Sequence, residues 1–89
     1  MSSADVRAGK ILFLKNFITE EDLSSQIDGI ATEFTLLNNY VGGTLRVYLN
    51  GLRQQKGVGE DYIEVAPNKI QFGTVLEVDD ILLIDYIKS

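Results

Sequence analysis

From residue 33 onwards the chain alternates apolar and polar side chains with the period of two that marks a half-buried strand. Phe34 and Leu36 fall on one face, Glu33 and Thr35 on the other. Further on, Leu45, Val47 and Leu49 point one way while Arg46, Tyr48 and Asn50 point the other. Asn50-Gly51 follows at once. This dipeptide tolerates the two positive φ angles of a type I′ turn, so Leu52-Arg53-Gln54 is predicted to return antiparallel to Val47-Tyr48-Leu49. Asn38-Asn39 and Gly42-Gly43 bracket a loop around Tyr40, and Gly57-Val58-Gly59 makes another, flexible one. Asp61 to Val65 reads as a strand, Pro67-Asn68 as a turn, Lys69 to Phe72 as a strand, and Ile81 to Ile87 as the last strand. Ile81-Leu82-Leu83-Ile84 is apolar on both faces, which predicts a strand central to its sheet, or one whose outer face is covered by the N-terminal segment or another subunit. The predicted core is Phe34, Leu36, Leu45, Val47, Leu49, Ile70, Phe72 and Ile84.

The first third lacks this regularity. Residues 1–9 are small and polar with no period and predict a flexible arm. Lys10 to Lys15 is β-prone and predicts a first strand, although the continuous run Ile11 to Leu14 fits a buried helix fragment equally well. Thr19-Glu20-Glu21-Asp22 reads as a helix N-terminus, with Thr19 as cap and acids in the first turn where the helix dipole favours them. Such a helix has one or two turns and ends by the turn pair Asp28-Gly29. The chain thus divides into residues 1–25, an N-terminal arm or first strand, and 26–89, a β-module. Ile11 to Phe17 stays open as an integral strand of that module. The fold class predicted is all-β: a small antiparallel β-sandwich or jelly-roll-like barrel with an N-terminal arm and at most one short helix.

Composition narrows the chemistry. A chain of 89 residues forms one domain of modest stability, and with no cysteine it has neither a disulfide framework nor thiolate metal ligands. There is no histidine, so a serine nucleophile would lack its usual base, and the serines lie at the termini or at Ser24-Ser25. No enzyme activity and no cofactor are expected. The net charge is −5 and the eight basic residues are scattered, which argues against nucleic acid. The N-terminus lacks the features of a secretory signal, and a run such as Ile81 to Ile84 is too short to span a bilayer, so a soluble protein made in the cytoplasm is expected. Glu60-Asp61 and Asp79-Asp80 lack the alternating acid spacing of a calcium loop and read as solvated turn residues, with Asp80 capping the turn before the last strand. An ion at Asp79/Asp80 stays open. Tyr40, Tyr48, Tyr62 and Tyr86 fit packing or a protein interface better than a glycan platform, since tryptophan is absent. Arg46 and Arg53 flank the hairpin facing solvent. The candidate interface residues are Tyr48, Arg53, Ile11 and Phe13.

Six pieces in order carry a further reading: Asp28-Gly29, Phe34 with Leu36, Val47 to Gly51, Asp61-Tyr62, Ile70 with Phe72, and Ile81 to Tyr86. Over roughly the last two-thirds of the chain, this order resembles a small β-sandwich module of structural proteins of tailed bacteriophages, found in capsid decoration (cement), neck and tail-fibre proteins. Where that module often carries Pro and then Gly-Asp around its last turn, this chain has Val75-Leu76-Glu77-Val78-Asp79-Asp80. The resemblance implies a non-enzymatic virion structural protein whose partners are phage capsid or neck/tail proteins. With no long shaft beside the module, a capsid decoration protein that binds and stabilises the head surface is preferred over a small neck, tail or tail-fibre adaptor. Self-association, a trimer by preference, is expected with it. A secreted adhesion module and a small enzyme are weaker readings, because the first expects a signal peptide and the second a histidine or metal-ligand cluster.

Overall fold

Strands form where the period-two runs lie, and they pair into two antiparallel sheets. The computed structural model describes residues 16–89. Its strands are β1 (Phe17–Asp22), β2 (Glu33–Thr35), β3 (Arg46–Leu49), β4 (Leu52–Arg53), β5 (Tyr62–Val65), β6 (Lys69–Phe72) and β7 (Leu82–Ile87). One sheet runs β1-β7-β3-β4 and the other β2-β6-β5. A single 3₁₀ turn at Ser24–Gln26 is the one helical element among the described residues. The fold is therefore a small all-β sandwich, two separate sheets and not a closed barrel.

The inner faces follow from the alternation. Val47, Leu82, Ile84 and Tyr86 come from the four-stranded sheet; Phe34, Tyr62, Ile70 and Phe72 come from the three-stranded one. All eight are buried in one cluster. Phe34 and Phe72 meet edge to face with ring centroids 5.9 Å apart, and Tyr40 and Tyr86 do the same at 6.5 Å, the geometry aromatic quadrupoles favour. Every predicted core residue is buried except Leu49, which is partly buried against the cluster. Leu23, Ile27, Tyr40, Tyr62, Leu76, Leu82 and Tyr86 join them.

β7 lies between β1 and β3, so its double-sided apolar run is that of a central strand, with Leu83, Asp85 and Ile87 half-buried on the outside. The hairpin is the predicted one. Asn50 and Gly51 have φ of 53° and 83°, Tyr48 pairs with Arg53 and Leu49 with Leu52, and the Gln54 N–H donates to the Val47 carbonyl at 2.7 Å. The turn joining β5 to β6 contains a cis Ala66-Pro67 bond.

One expectation is corrected. Thr19 to Asp22 is not a helix start with Thr19 as cap; these residues belong to β1, paired with β7. The register explains the switch. Phe17 pairs with Ile87 and Ile18 with Tyr86, then a bulge at Thr19-Glu20 shifts the ladder so that Glu21 meets Ile84 and Asp22 meets Leu83. Without the extra residue, strict alternation from Ile18 would turn Glu20 and Asp22 inward and leave Leu23 outside; with it, Glu21 and Leu23 face the core. Glu20 takes the left-handed conformation, φ 52°, and its N–H donates to the Asp85 carboxylate at 2.7 Å. Residues 17–25, grouped in the sequence with the arm or first strand, pack with the sandwich. They supply a neighbour to the central strand and the buried Leu23. Residues 1–15, including the Lys10 to Lys15 strand and the interface candidates Ile11 and Phe13, lie outside the described residues.

Candidate interaction surface

A sandwich offers a partner its edges, its outer faces or its loop ends. The edges are closed to strand addition by local devices. β1 is interrupted by its bulge, and β4 has two residues. On β5, Tyr62 already exchanges hydrogen bonds with the crossing segment 55–57: its N–H donates to the Gln55 carbonyl and its carbonyl accepts from the Gly57 N–H. On β2 the Gln26 side chain takes the place of a neighbouring strand. Its amide donates to the Thr35 carbonyl at 2.7 Å and accepts from the Thr35 N–H at 2.9 Å.

The outer face of the β1-β7-β3-β4 sheet is the broadest regular surface. Pairing sets Arg46 opposite Asp85, Tyr48 opposite Leu83 and Arg53 opposite Tyr48, while Phe17 lies opposite Ile87. Tyr48 and Arg53 are thus brought side by side as one cross-strand pair, Tyr48 half-buried and Arg53 exposed. Arg46 is exposed as expected. Neither arginine has an ion-pair partner within 4 Å among the described residues, whereas Lys56 reaches Glu64 at 3.6 Å and Lys69 reaches Glu33 at 3.5 Å. Beside Arg53, between β4 and β5, an open cleft of about 400 Å³ has Gln54, Gln55, Lys56 and Tyr62 in its wall. These are donors, acceptors and cations suited to binding a polar chain.

One acid of each pair is tied into the fold. Asp80 accepts from the Glu77 N–H at 2.8 Å and from the Asn50 side-chain amide at 2.8 Å, while Asn50 accepts from the Ile81 N–H at 2.8 Å. Asp80 does cap the turn before the last strand, and Asn50 ties that turn to the hairpin. Asp61 accepts from the Gln55 N–H at 2.8 Å. Among the described residues no group of three or more acidic side chains is placed to hold a metal ion. Nor is any helix there long and apolar enough to cross a membrane.

Three of the four tyrosines are core residues, Tyr48 being the exception. Burial, before any charge effect, pushes the phenols of Tyr40, Tyr62 and Tyr86 above their ordinary range. The Tyr40 hydroxyl donates to the Lys69 carbonyl at 2.7 Å. The Tyr86 hydroxyl donates to Glu21 Oε1 at 2.5 Å and accepts from the Asn38 amide at 3.1 Å, while Glu21 Oε2 accepts from the Leu37 N–H at 2.8 Å. This buried Glu21–Tyr86 cluster has no counterpart in the sequence reading. The signal for it was an acid in phase with Leu23 once a bulge is allowed for, and a bulge leaves little trace in sequence. Each oxygen of the carboxylate has a donor, so the cluster works as a structural clasp between β1, β7 and the loop after β2.

Comparison of the chain with family models, with curated proteins and with solved structures returned no match.

Proposed function

We propose that the chain is a non-enzymatic structural protein of a tailed-phage virion, acting as a capsid decoration protein that binds the head surface and stabilises it. The order of six motifs from Asp28-Gly29 to Tyr86 supports the class. The observation that carries the mode of action is the outer face of the β1-β7-β3-β4 sheet, where Tyr48 and Arg53 sit together on a framework whose other side is the packed core. Such a face is preorganised, so docking it orders few groups, and Tyr and Arg are the side chains most enriched among interface anchors. Copies bound as a homo-oligomer, a trimer by preference, add their contacts and gain avidity without any single tight contact.

The test is cosedimentation of the purified chain with capsids of the phage that encodes it, after stripping their accessory proteins. Tyr48→Ala and Arg53→Ala remove side chains that face away from the core, so the fold is retained. The pair is expected to weaken binding by roughly 30-fold or more, the usual scale of an interface anchor. Full binding by the double variant would overturn this docking face, and no binding by the unaltered chain would overturn the decoration role.

A further inference from the structure

The end of the sandwich that carries the hairpin turn is apolar where a loop cluster is expected to be polar. Three loops meet there. Asn50 joins the hairpin to Asp80 and Ile81, and Val78 Cγ2 lies 3.4 Å from where a Cβ on Gly29 would sit, joining the last turn to the loop after the 3₁₀ turn. This end displays Ile30, Val78 and Ile81 on its loops and Leu52 at the start of β4, with 80%, 65%, 53% and 71% of their surface exposed. Around them stand Asp28, Glu77 and Asp79, and residues 28–31, 50–52 and 77–81 contain no lysine or arginine. An acid-rimmed apolar patch repels an anionic lipid surface and fits an apolar segment flanked by cations.

The chain contains one such segment. Lys10-Ile11-Leu12-Phe13-Leu14-Lys15 sets four consecutive apolar residues between two lysines, with Arg7 close before it. It leads into β1 at Phe17, which pairs with Ile87, whereas the apolar loops adjoin Leu82 at the other end of β7. The five steps from Leu82 to Ile87 separate the two ends by about 17 Å at about 3.4 Å per residue. Within one copy the segment would have to double back along the strand; between copies it need only extend. We propose that residues 10–15 of one copy dock on the acid-rimmed loop end of a second copy, held by the apolar run at the centre and by Lys10 and Lys15 against Asp28, Glu77 and Asp79 at the rim. The contact is heterologous, head to tail, so it builds a ring if the rotation closes and an open string if it does not. It does not depend on the virion reading, since it concerns the purified chain alone.

The test is sedimentation of the full chain over a range of concentrations. The unaltered protein is expected to self-associate, more weakly as salt rises because the rim is solvent-exposed. Lys10→Glu with Lys15→Glu, or Glu77→Lys with Asp79→Lys, should each weaken association roughly tenfold, and the four substitutions together should restore it. Glu77 and Asp79 are exposed loop residues, and circular dichroism of each variant checks that the fold is retained. Val78→Asp and Leu12→Asp should each give monomers, and a peptide of residues 7–16 should compete with the assembly. A monomeric unaltered chain would overturn the proposal. So would assembly unchanged in Val78→Asp and Leu12→Asp, or a charge-swapped protein no better than its halves.

Discussion

Replacing Glu21 by alanine tests the least expected feature of the sandwich, a carboxylate folded inward from an edge strand. Glu21 accepts two hydrogen bonds, from the Tyr86 hydroxyl at 2.5 Å and from the Leu37 N–H at 2.8 Å. Tyr86 is fully buried, and its other bond, from Asn38, uses the hydroxyl as acceptor and leaves its proton without a partner. The variant therefore strands the Tyr86 proton in the core and removes the charged acceptor of the Leu37 N–H, on a residue that is itself exposed. A hydrogen bond to a charged group contributes about 1.5–3 kcal/mol, and an unsatisfied buried donor costs about 1–3 kcal/mol, so the expected loss is about 3–5 kcal/mol. That is a large part of the about 5–15 kcal/mol that holds a small domain folded. Tyr86→Phe should cost less, since Glu21 keeps the Leu37 N–H, and the double variant should show a coupling of about 0.5–3 kcal/mol. Urea unfolding followed by circular dichroism measures all three. A loss below about 1 kcal/mol for Glu21→Ala, with no coupling to Tyr86, would show that the acid faces water, as it would in a short helix, and would refute the bulged-strand register.

Three further outcomes are expected. Gly51→Val should lower stability by at least about 1 kcal/mol and Gly51→Asn by less, because φ is 83° there and a new Cβ meets nothing within 4 Å, so the cost lies in the backbone alone; equal melting temperatures for the two variants would contradict this. Gln26→Ala should cost about 1–2 kcal/mol and leave the β2 edge open to strand addition, read as increased light scattering near the unfolding midpoint. Alkali should unfold the protein: native Tyr40, Tyr62 and Tyr86 hold their protons above the ordinary value of 10.0, at which the unfolded chain releases them. The unfolded state then binds fewer protons, so stability is full below about pH 10 and falls as pH rises beyond it; a urea midpoint that stays flat through that range would contradict the assignment.

The second half of the chain was legible because its signals are local. A period of two over Leu45 to Asn50 and the Asn-Gly pair determine a strand, a face and a turn type without reference to anything distant, and Arg53 beside Tyr48 follows from the turn alone. Glu20-Glu21-Asp22 was not legible, because acids after a threonine carry the same local pattern whether they open a helix or cross a bulge. What decides is pairing with β7, some 60 residues later in the chain, and no local preference reports it. Tyr40 and Tyr86 pack in the core, one of the roles expected for the four tyrosines, yet the hydrogen bonds that make their burial tolerable are long-range and could not be read beforehand. The Tyr48–Arg53 part of the candidate surface follows from register; that it is flanked by Leu83, Asp85 and Ile87 depends on which strand lies beside β3.

The most direct measurement of the central claim is the copy number of this chain in purified virions of the phage that encodes it, by quantitative mass spectrometry against the major shell protein. A decoration role predicts a fixed stoichiometry close to that of the shell subunit, retained on washing and lost when Tyr48→Ala and Arg53→Ala are introduced together. Absence of the chain from the particles would contradict the account.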